Sequence, residues 1–294
     1  MLSRQAEPQA GYAPPFAETA LPAAALPAPS LTAATFVWAA LASTIRRTQR
    51  GEGALLAINL SLIAYQGAGL PVMLAQAVVS TLAILLMYAF NDQYDVASDV
   101  NNPKKDQQLV ATYLEHHREF GLWIFALKFV TLGLSMLTLG AAATAALAGV
   151  MVVNVVYSTL LKGVPVIDVA WCGLWGLLYA AVVGAPPAIL VFVGLMTAVC
   201  HLYQALDDRA SDAANGITTT AVRSEALSRN VLFVLSALLF VVLRPALGAG
   251  WALTAFTPLG LFFVAGNPRT GWLLTKVYFG IVWLYLLGIA GATG

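Results

Sequence analysis

The sequence predicts an all-α fold: a polytopic membrane protein built as a bundle of about nine transmembrane helices. Three observations carry this expectation. The 294 residues are 60% hydrophobic and only 10% charged. Apolar runs of about 20 residues, the length a helix needs to cross a bilayer, recur along most of the chain. Acids and bases gather at one end of those runs. A soluble fold is thereby excluded, and a net charge of +1 leaves no footprint for nucleic acid. Cys172 and Cys200 each fall inside an expected span, which excludes a disulfide framework and reads as two small core residues.

Taken in order, residues 1–30 are rich in Ala and Pro, and the prolines interrupt any signal-like apolar stretch, so they read as a flexible tail before a single domain over 31–294. Ser30 is placed to cap a helix running through Ile45, whose apolar part before Arg46 and Arg47 is short for a span and suits the membrane interface. Nine spanning segments follow at roughly 53–69, 70–90, 119–138, 140–160, 165–184, 187–206, 229–246, 249–266 and 272–291. Pro186 and Pro187 mark the start of the sixth, where proline's fixed φ suits a first helical turn.

Charge placement orients the bundle. Of the 15 Lys and Arg residues, only Arg244 falls at the far end of this arrangement and only Lys128 sits well inside a span. The positive-inside rule puts the N-terminus and the loops 91–118, 161–165 and 207–228 in the cytoplasm, with a bacterial inner membrane as the expected location. Every Asp and Glu after Glu52 lies on that same side.

On that side, "NDQYDVASD" (91–99) continues an apolar run, so Asp92, Asp95 and Asp99 fall within roughly 60° of one another on a helix, with Asn91 beside Asp95. A second cluster, "LDDRASD" (206–212), puts Asp208 and Asp212 one turn apart, while Asp207 points about 100° away. Stacked carboxylates repel unless divalent cations lie between them, and oxygen-only ligands favour Mg²⁺ over zinc. Two such clusters facing each other across a bundle form a physical design for holding a diphosphate through bridging metals. Lys105, Lys162 and Arg209 are close enough in sequence to bind the remaining anionic oxygens. Lys104 and Arg223 are close enough as well, and for Lys104, Lys105 and Arg223 the positive-inside anchor is the preferred reading.

At this point a resemblance enters. NDQYDVASD resembles the NDxxDxxxD motif of the UbiA superfamily of intramembrane prenyltransferases. DRASD followed by "NGITTTAV" (215–222) is similar to that family's second motif. The stretch "NVVYSTLLKGVPVIDV" (154–169) resembles its fourth helix end and following loop, with Asn154, Tyr157, Lys162 and Asp168 in matching places. The likeness covers roughly residues 45–290 and implies nine transmembrane helices around a central cavity, where Mg²⁺ helps ionise an isoprenyl diphosphate whose prenyl group passes to an aromatic or other lipophilic acceptor. By position it implies that Asn91, Asp92, Asp95 and Asp99 form one metal site and Asp208 and Asp212 the other, with Lys162 on the diphosphate. Departures remain: "NNPKKDQQ" has Lys105 near an expected arginine and Asp106 where proline is usual, and "TTTAV" lacks a common proline. A point-charge lysine does not reproduce a bidentate guanidinium.

Other residues are read from the helical projection. His201, seven residues before Asp208, and Gln204 share a face with Asp208 and Asp212, which places His201 where it orients or deprotonates an acceptor, or else serves as a hydrogen-bonded structural histidine. Tyr157 is best placed to offer an aromatic face to a carbocation, although a Tyr at a helix end also serves as an interfacial anchor. His116 and His117 read as solvated, and Lys128 as snorkelling to the cytoplasmic surface. Within the same cavity, isoprenoid cyclisation or phosphoribosyl transfer to a lipid phosphate is the alternative chemistry. An ion-coupled transporter is the alternative of another class, and its sites belong near the midplane rather than at one end.

Overall fold

The computed structural model describes residues 30–49, 53–100, 102 and 105–293. The Ala/Pro-rich stretch up to residue 29 and the expected anchor Lys104 lie outside the described residues. All regular structure among the described residues is helical.

Helix α1, Ala33–Gln49, starts later and ends later than expected. Thr32 caps it in place of Ser30, its hydroxyl accepting from the Thr35 amide at 3.1 Å. One face of the helix packs on the bundle: Phe36, Ala39 and Ala40 are buried, and Phe36 packs on Phe120 with ring centroids 5.4 Å apart. Helix α2, Ala54–Gln66, ends at Gly67, whose φ of 62° supplies the left-handed cap that lets the chain reverse. Helix α3, Leu70–Asp99, carries Pro71 in its first turn and runs without a break from its apolar part into the first acidic motif.

The expected cytoplasmic loop contains helix α4, Gln107–Glu115, capped by Asp106, whose carboxylate accepts from the amides of Gln108 and Leu109 at 2.8 and 3.3 Å. Helix α5, His117–Thr138, follows directly. His116 at the junction is buried at 9% exposure beside Glu119, and His117 Nε2 lies 2.9 Å from Gln93 Nε2, which corrects the expectation that both are solvated. Helix α6, Ala141–Val156, ends in a π-helical turn, Tyr157–Leu161.

Helices α7, Ile167–Ala181, and α8, Pro187–Ala214, form the tightest helix pair. Gly173, Gly176 and Gly194 line their interface, and a Cβ on Gly176 would run into Thr197 while one on Gly194 would meet the Gly173 carbonyl at 3.0 Å. Small residues let backbones approach closely where lipid offers no hydrophobic drive for helix association. The short α9, Thr220–Arg223, leads into α10, Glu225–Ala252, which contains Pro245 and breaks helical geometry at Gly248 with φ 74° and ψ 161°. A 3₁₀ turn joins it to α11, Thr257–Val264, and α12, Pro268–Thr293, closes the bundle.

Six helical stretches are long and apolar enough to cross a membrane by length and composition: Leu70–Asp99, His117–Thr138, Ala141–Leu161, Pro187–Ala214, Glu225–Val264 and Pro268–Gly288. Helices α2 and α7 are apolar but shorter. Leu137, Phe129 and Val264 point outward, an apolar exterior suited to lipid rather than water. Buried residues of α2, α3, α6, α7, α8, α10 and α12 form the main core, and a second cluster joins α1, α3, α4 and α5.

Candidate active site

A cavity of about 520 Å³ runs down the inside of the bundle. Its polar end is lined by Asn91, Asp95 and Asp99 from α3, Lys105, Lys162, and Asp208 and Asp212 from α8. Deeper, Tyr157, His201 and Gln204 give way to Trp175, Met196, Phe279 and Trp283.

The continuity of α3 and α8 past their apolar parts sets the two acidic walls. Lys162 Nζ lies 2.7 Å from Asp95, and Lys105 Nζ lies 2.8 Å from Asp99. Burial works against the Lys162 ammonium, but the Asp95 carboxylate beside it, with Asp212 and Asp99 further off, outweighs that cost and holds its pKa above the ordinary lysine value. The π turn positions this lysine: the Lys162 amide donates to the Tyr157 carbonyl at 2.9 Å, five residues back. Tyr157 itself meets His201 edge-on, its hydroxyl 3.3 Å from Nε2.

Loop geometry over the mouth depends on Asp168, which is fully buried and does not line the cavity. Its carboxylate accepts from the Thr220 amide at 2.8 Å, from the Thr220 hydroxyl and from the Val169 amide at 2.9 Å. Thr220 in turn accepts from the Val166 amide at 2.7 Å, holding Val166 at a φ of 71° that a β-branched residue rarely adopts. Gly216, with φ 71°, makes the turn after α8 that brings the second motif's threonines to this tie.

Some expected residues are directed elsewhere. Asp92 does not line the cavity; it pairs with Arg47 and accepts from Ser43, both on α1. Arg209 and Arg223 are exposed, and neither borders the cavity. Asp207, as its projection implies, turns away and lies 3.8 Å from Arg269. Lys128 does not snorkel: it is 4% exposed, donates to Asn154 at 3.2 Å and sits 4.2 Å from the Phe90 ring centroid. The Asn154 amide on α6 and the Phe90 ring on α3 give the ammonium interior partners, which a one-helix reading cannot see.

Other cavity residues escape the sequence reading. Arg47 reaches the cavity from α1 with its guanidinium 5.0 Å from the Tyr88 ring. Lys276 lines it from α12, its ammonium 3.2 Å from the Trp272 ring centroid. The i, i+4 spacing of Trp272 and Lys276 in an otherwise apolar segment is the signal that could have found the second.

Fold and site together define an all-helical membrane protein with carboxylates and lysines at one end of a largely apolar cavity. The chain matches the UbiA prenyltransferase family over residues 53–279 and belongs to that family. It matches no curated protein sequence. Among solved structures it is similar to a UbiA homolog from Archaeoglobus fulgidus bound to DMAPP and Mg²⁺, with a TM-score of 0.60 and 19% identity over 82% of this chain and 96% of that one. The same homolog bound to GPP and Mg²⁺ gives a TM-score of 0.56 at 17% identity, covering 82% and 97%. Its Cd²⁺-bound form gives 0.57 at 17% identity over the same shares. At these identities the likeness is one of fold.

Proposed function

We propose that this protein transfers a prenyl group, with Mg²⁺, from an isoprenyl diphosphate to an aromatic or other lipophilic acceptor. One observation carries the reading: Asp95, Asp99, Asp208, Asp212, Lys105 and Lys162 converge on the polar end of a cavity whose deeper walls are apolar and aromatic. Similar structures described as holding DMAPP or GPP with Mg²⁺ support it. In this reading the nine apolar segments make nine crossings, the stretch Glu225–Val264 doubling back near Gly248, and the polar end faces the cytoplasm of a bacterial cell.

The donor set fits Mg²⁺. No three His, Cys, Asp or Glu side chains converge as a metal cage among the described residues. Mg²⁺ does not need one: it is held through one or two carboxylates, waters and substrate phosphates. Asp95 and Asp99 on one wall and Asp208 and Asp212 on the other would hold it, and when bound it stabilises the charge developing on the leaving diphosphate.

The chain's own groups do the rest. Lys162, now paired with Asp95, is within reach of diphosphate oxygens and neutralises them as the allylic C–O bond breaks and the diphosphate departs with its electron pair. Trp175, Met196, Phe279 and Trp283 house the prenyl tail and keep water from the cation. The allylic carbon then bonds to a nucleophilic carbon or oxygen of the acceptor, whose displaced proton passes to His201. Among the described residues, the carboxylates that line the cavity are Asp95, Asp99, Asp208 and Asp212 at its polar end, which favours this reading over a transporter.

The purified protein, incubated with prenyl diphosphates of several lengths and total membrane lipid extract, should yield products heavier by one prenyl unit with Mg²⁺ and none in EDTA. Absence of any such product across the panel would overturn the reading.

A further inference from the structure

Asn91 heads the first acidic motif and lines the cavity beside Asp95, yet its carbonyl oxygen is already taken. Asn154 Nδ2 donates to Asn91 Oδ1 at 2.7 Å, and Ser158 Oγ donates to the same atom at 3.0 Å. An amide oxygen has two lone pairs, so none is left for a metal. What remains to face a ligand is the NH₂.

This orientation has a cause inside the bundle. An asparagine's O and N are nearly isosteric, so its direction follows from its network. Here the network ends on Lys128, an ammonium that only donates. It sits buried against the Phe90 and Phe125 rings, 4.2 and 5.6 Å from their centroids, contacts that suit its charged form. Lys128 Nζ donates to Asn154 Oδ1 at 3.2 Å, so Asn154 must turn its NH₂ the other way, toward Asn91, which must answer with its oxygen. The hydroxyl of Ser158 donates or accepts equally well and follows. One buried lysine thus sets the polarity of two amides.

We propose that Asn91 meets the substrate diphosphate as a hydrogen-bond donor through Nδ2 rather than as a metal ligand, and that Lys128, acting through Asn154, is the positioning residue that fixes this. The inference rests on reading the cavity as a diphosphate site. It departs from the metal role that the motif resemblance implies for Asn91.

The test uses full-length detergent-solubilised protein and two separate readouts: calorimetric affinity for geranyl diphosphate in EDTA, and Mn²⁺ affinity by paramagnetic resonance without diphosphate. Asn91→Asp removes the donor while keeping oxygen ligands, so metal-free geranyl diphosphate affinity should fall about ten- to a hundredfold, the scale of a hydrogen bond to a charged group, with Mn²⁺ affinity kept or raised. Lys128→Met frees both amides to turn over, so it should weaken metal-free geranyl diphosphate binding and tighten Mn²⁺ binding, whereas Lys128→Arg, still donor-only, should restore both. A merely structural lysine would lower both affinities together with the melting temperature, and that result overturns the proposal. Unchanged metal-free affinity in Asn91→Asp overturns it as well, and does so even if the lysine variants do not fold. If the unaltered protein binds no geranyl diphosphate with or without Mg²⁺, the diphosphate-site reading itself falls.

Discussion

Arg47 on α1 and Asp92 on α3 form an ion pair with each side chain 14% exposed, and Ser43, one turn before Arg47, donates to the same carboxylate. The first carboxylate of the acidic motif therefore holds a neighbouring helix in place, and Arg47 carries that link to the cavity, which it also lines.

Removing one partner of such a buried pair leaves an uncompensated charge, whose cost is about 3–5 kcal/mol. Arg47→Leu should therefore lower the melting temperature strongly, and the double variant Arg47→Leu/Asp92→Asn should recover most of the loss. Thermal unfolding of the four proteins of this cycle measures it. Additive losses would show that the pair has no coupling and that α1 is held otherwise.

Asp95 on α3 and Asp208 on α8 both line the cavity and carry the proposed metal-dependent chemistry. Asp95→Asn and Asp208→Asn keep size and helix and remove one charge each. Turnover should fall by about two orders of magnitude or more while the fold survives, on the scale of losing charge stabilisation made only in the transition state. Single-turnover rates with Mg²⁺ beside a melting curve check this. Full activity in either folded variant excludes that carboxylate from the site.

Orientation is testable from two exposed alanines, Ala111 on α4 at the acidic end and Ala188 in the first turn of α8. In a background lacking Cys172 and Cys200, cysteines at these positions should react with an impermeant thiol reagent from opposite faces of oriented vesicles, with Ala111→Cys protected unless the cytoplasmic face is open. Labelling of both from one face would overturn the topology.

The helical bundle and its acidic walls are legible in the sequence because both depend on periodicity along single helices. Residues 91–99 and 206–212 lie on α3 and α8, and their spacing places Asp95 with Asp99 and Asp208 with Asp212. What spacing cannot give is the neighbour each edge of a stripe faces. Asp92 lies at the edge of its stripe where α1 packs, and a projection of α3 alone holds no trace of Arg47. Lys128 fails for the same reason: snorkelling is the reading for an isolated helix, and only the approach of α6 and α3 supplies the Asn154 carbonyl oxygen and the Phe90 ring that meet it. Arg209 lies next to Asp208 in sequence, but a step of one residue turns it about 100° away, and it ends exposed.

His201 is the residue for which the projection and the structure leave two roles that kinetics separate. It lines the cavity on α8, seven residues and about 10 Å of helix below Asp208, at the depth where an acceptor rather than a diphosphate would sit. Its ring meets Tyr157 at 87° with centroids 5.7 Å apart, and the Tyr157 hydroxyl lies 3.3 Å from Nε2, so the two side chains orient one another. If His201 receives the acceptor's proton, His201→Ala should reduce kcat about a hundredfold and raise acceptor KM while leaving donor KM nearly unchanged. Tyr157→Phe removes only the hydroxyl, so its effect should be smaller and run in the same direction. A structural histidine would instead lower the melting temperature and leave the kinetics of the surviving fold unaltered. Measuring both KM values and kcat for the two variants beside their melting temperatures decides between these roles, and unchanged acceptor kinetics in folded His201→Ala would remove His201 from the site.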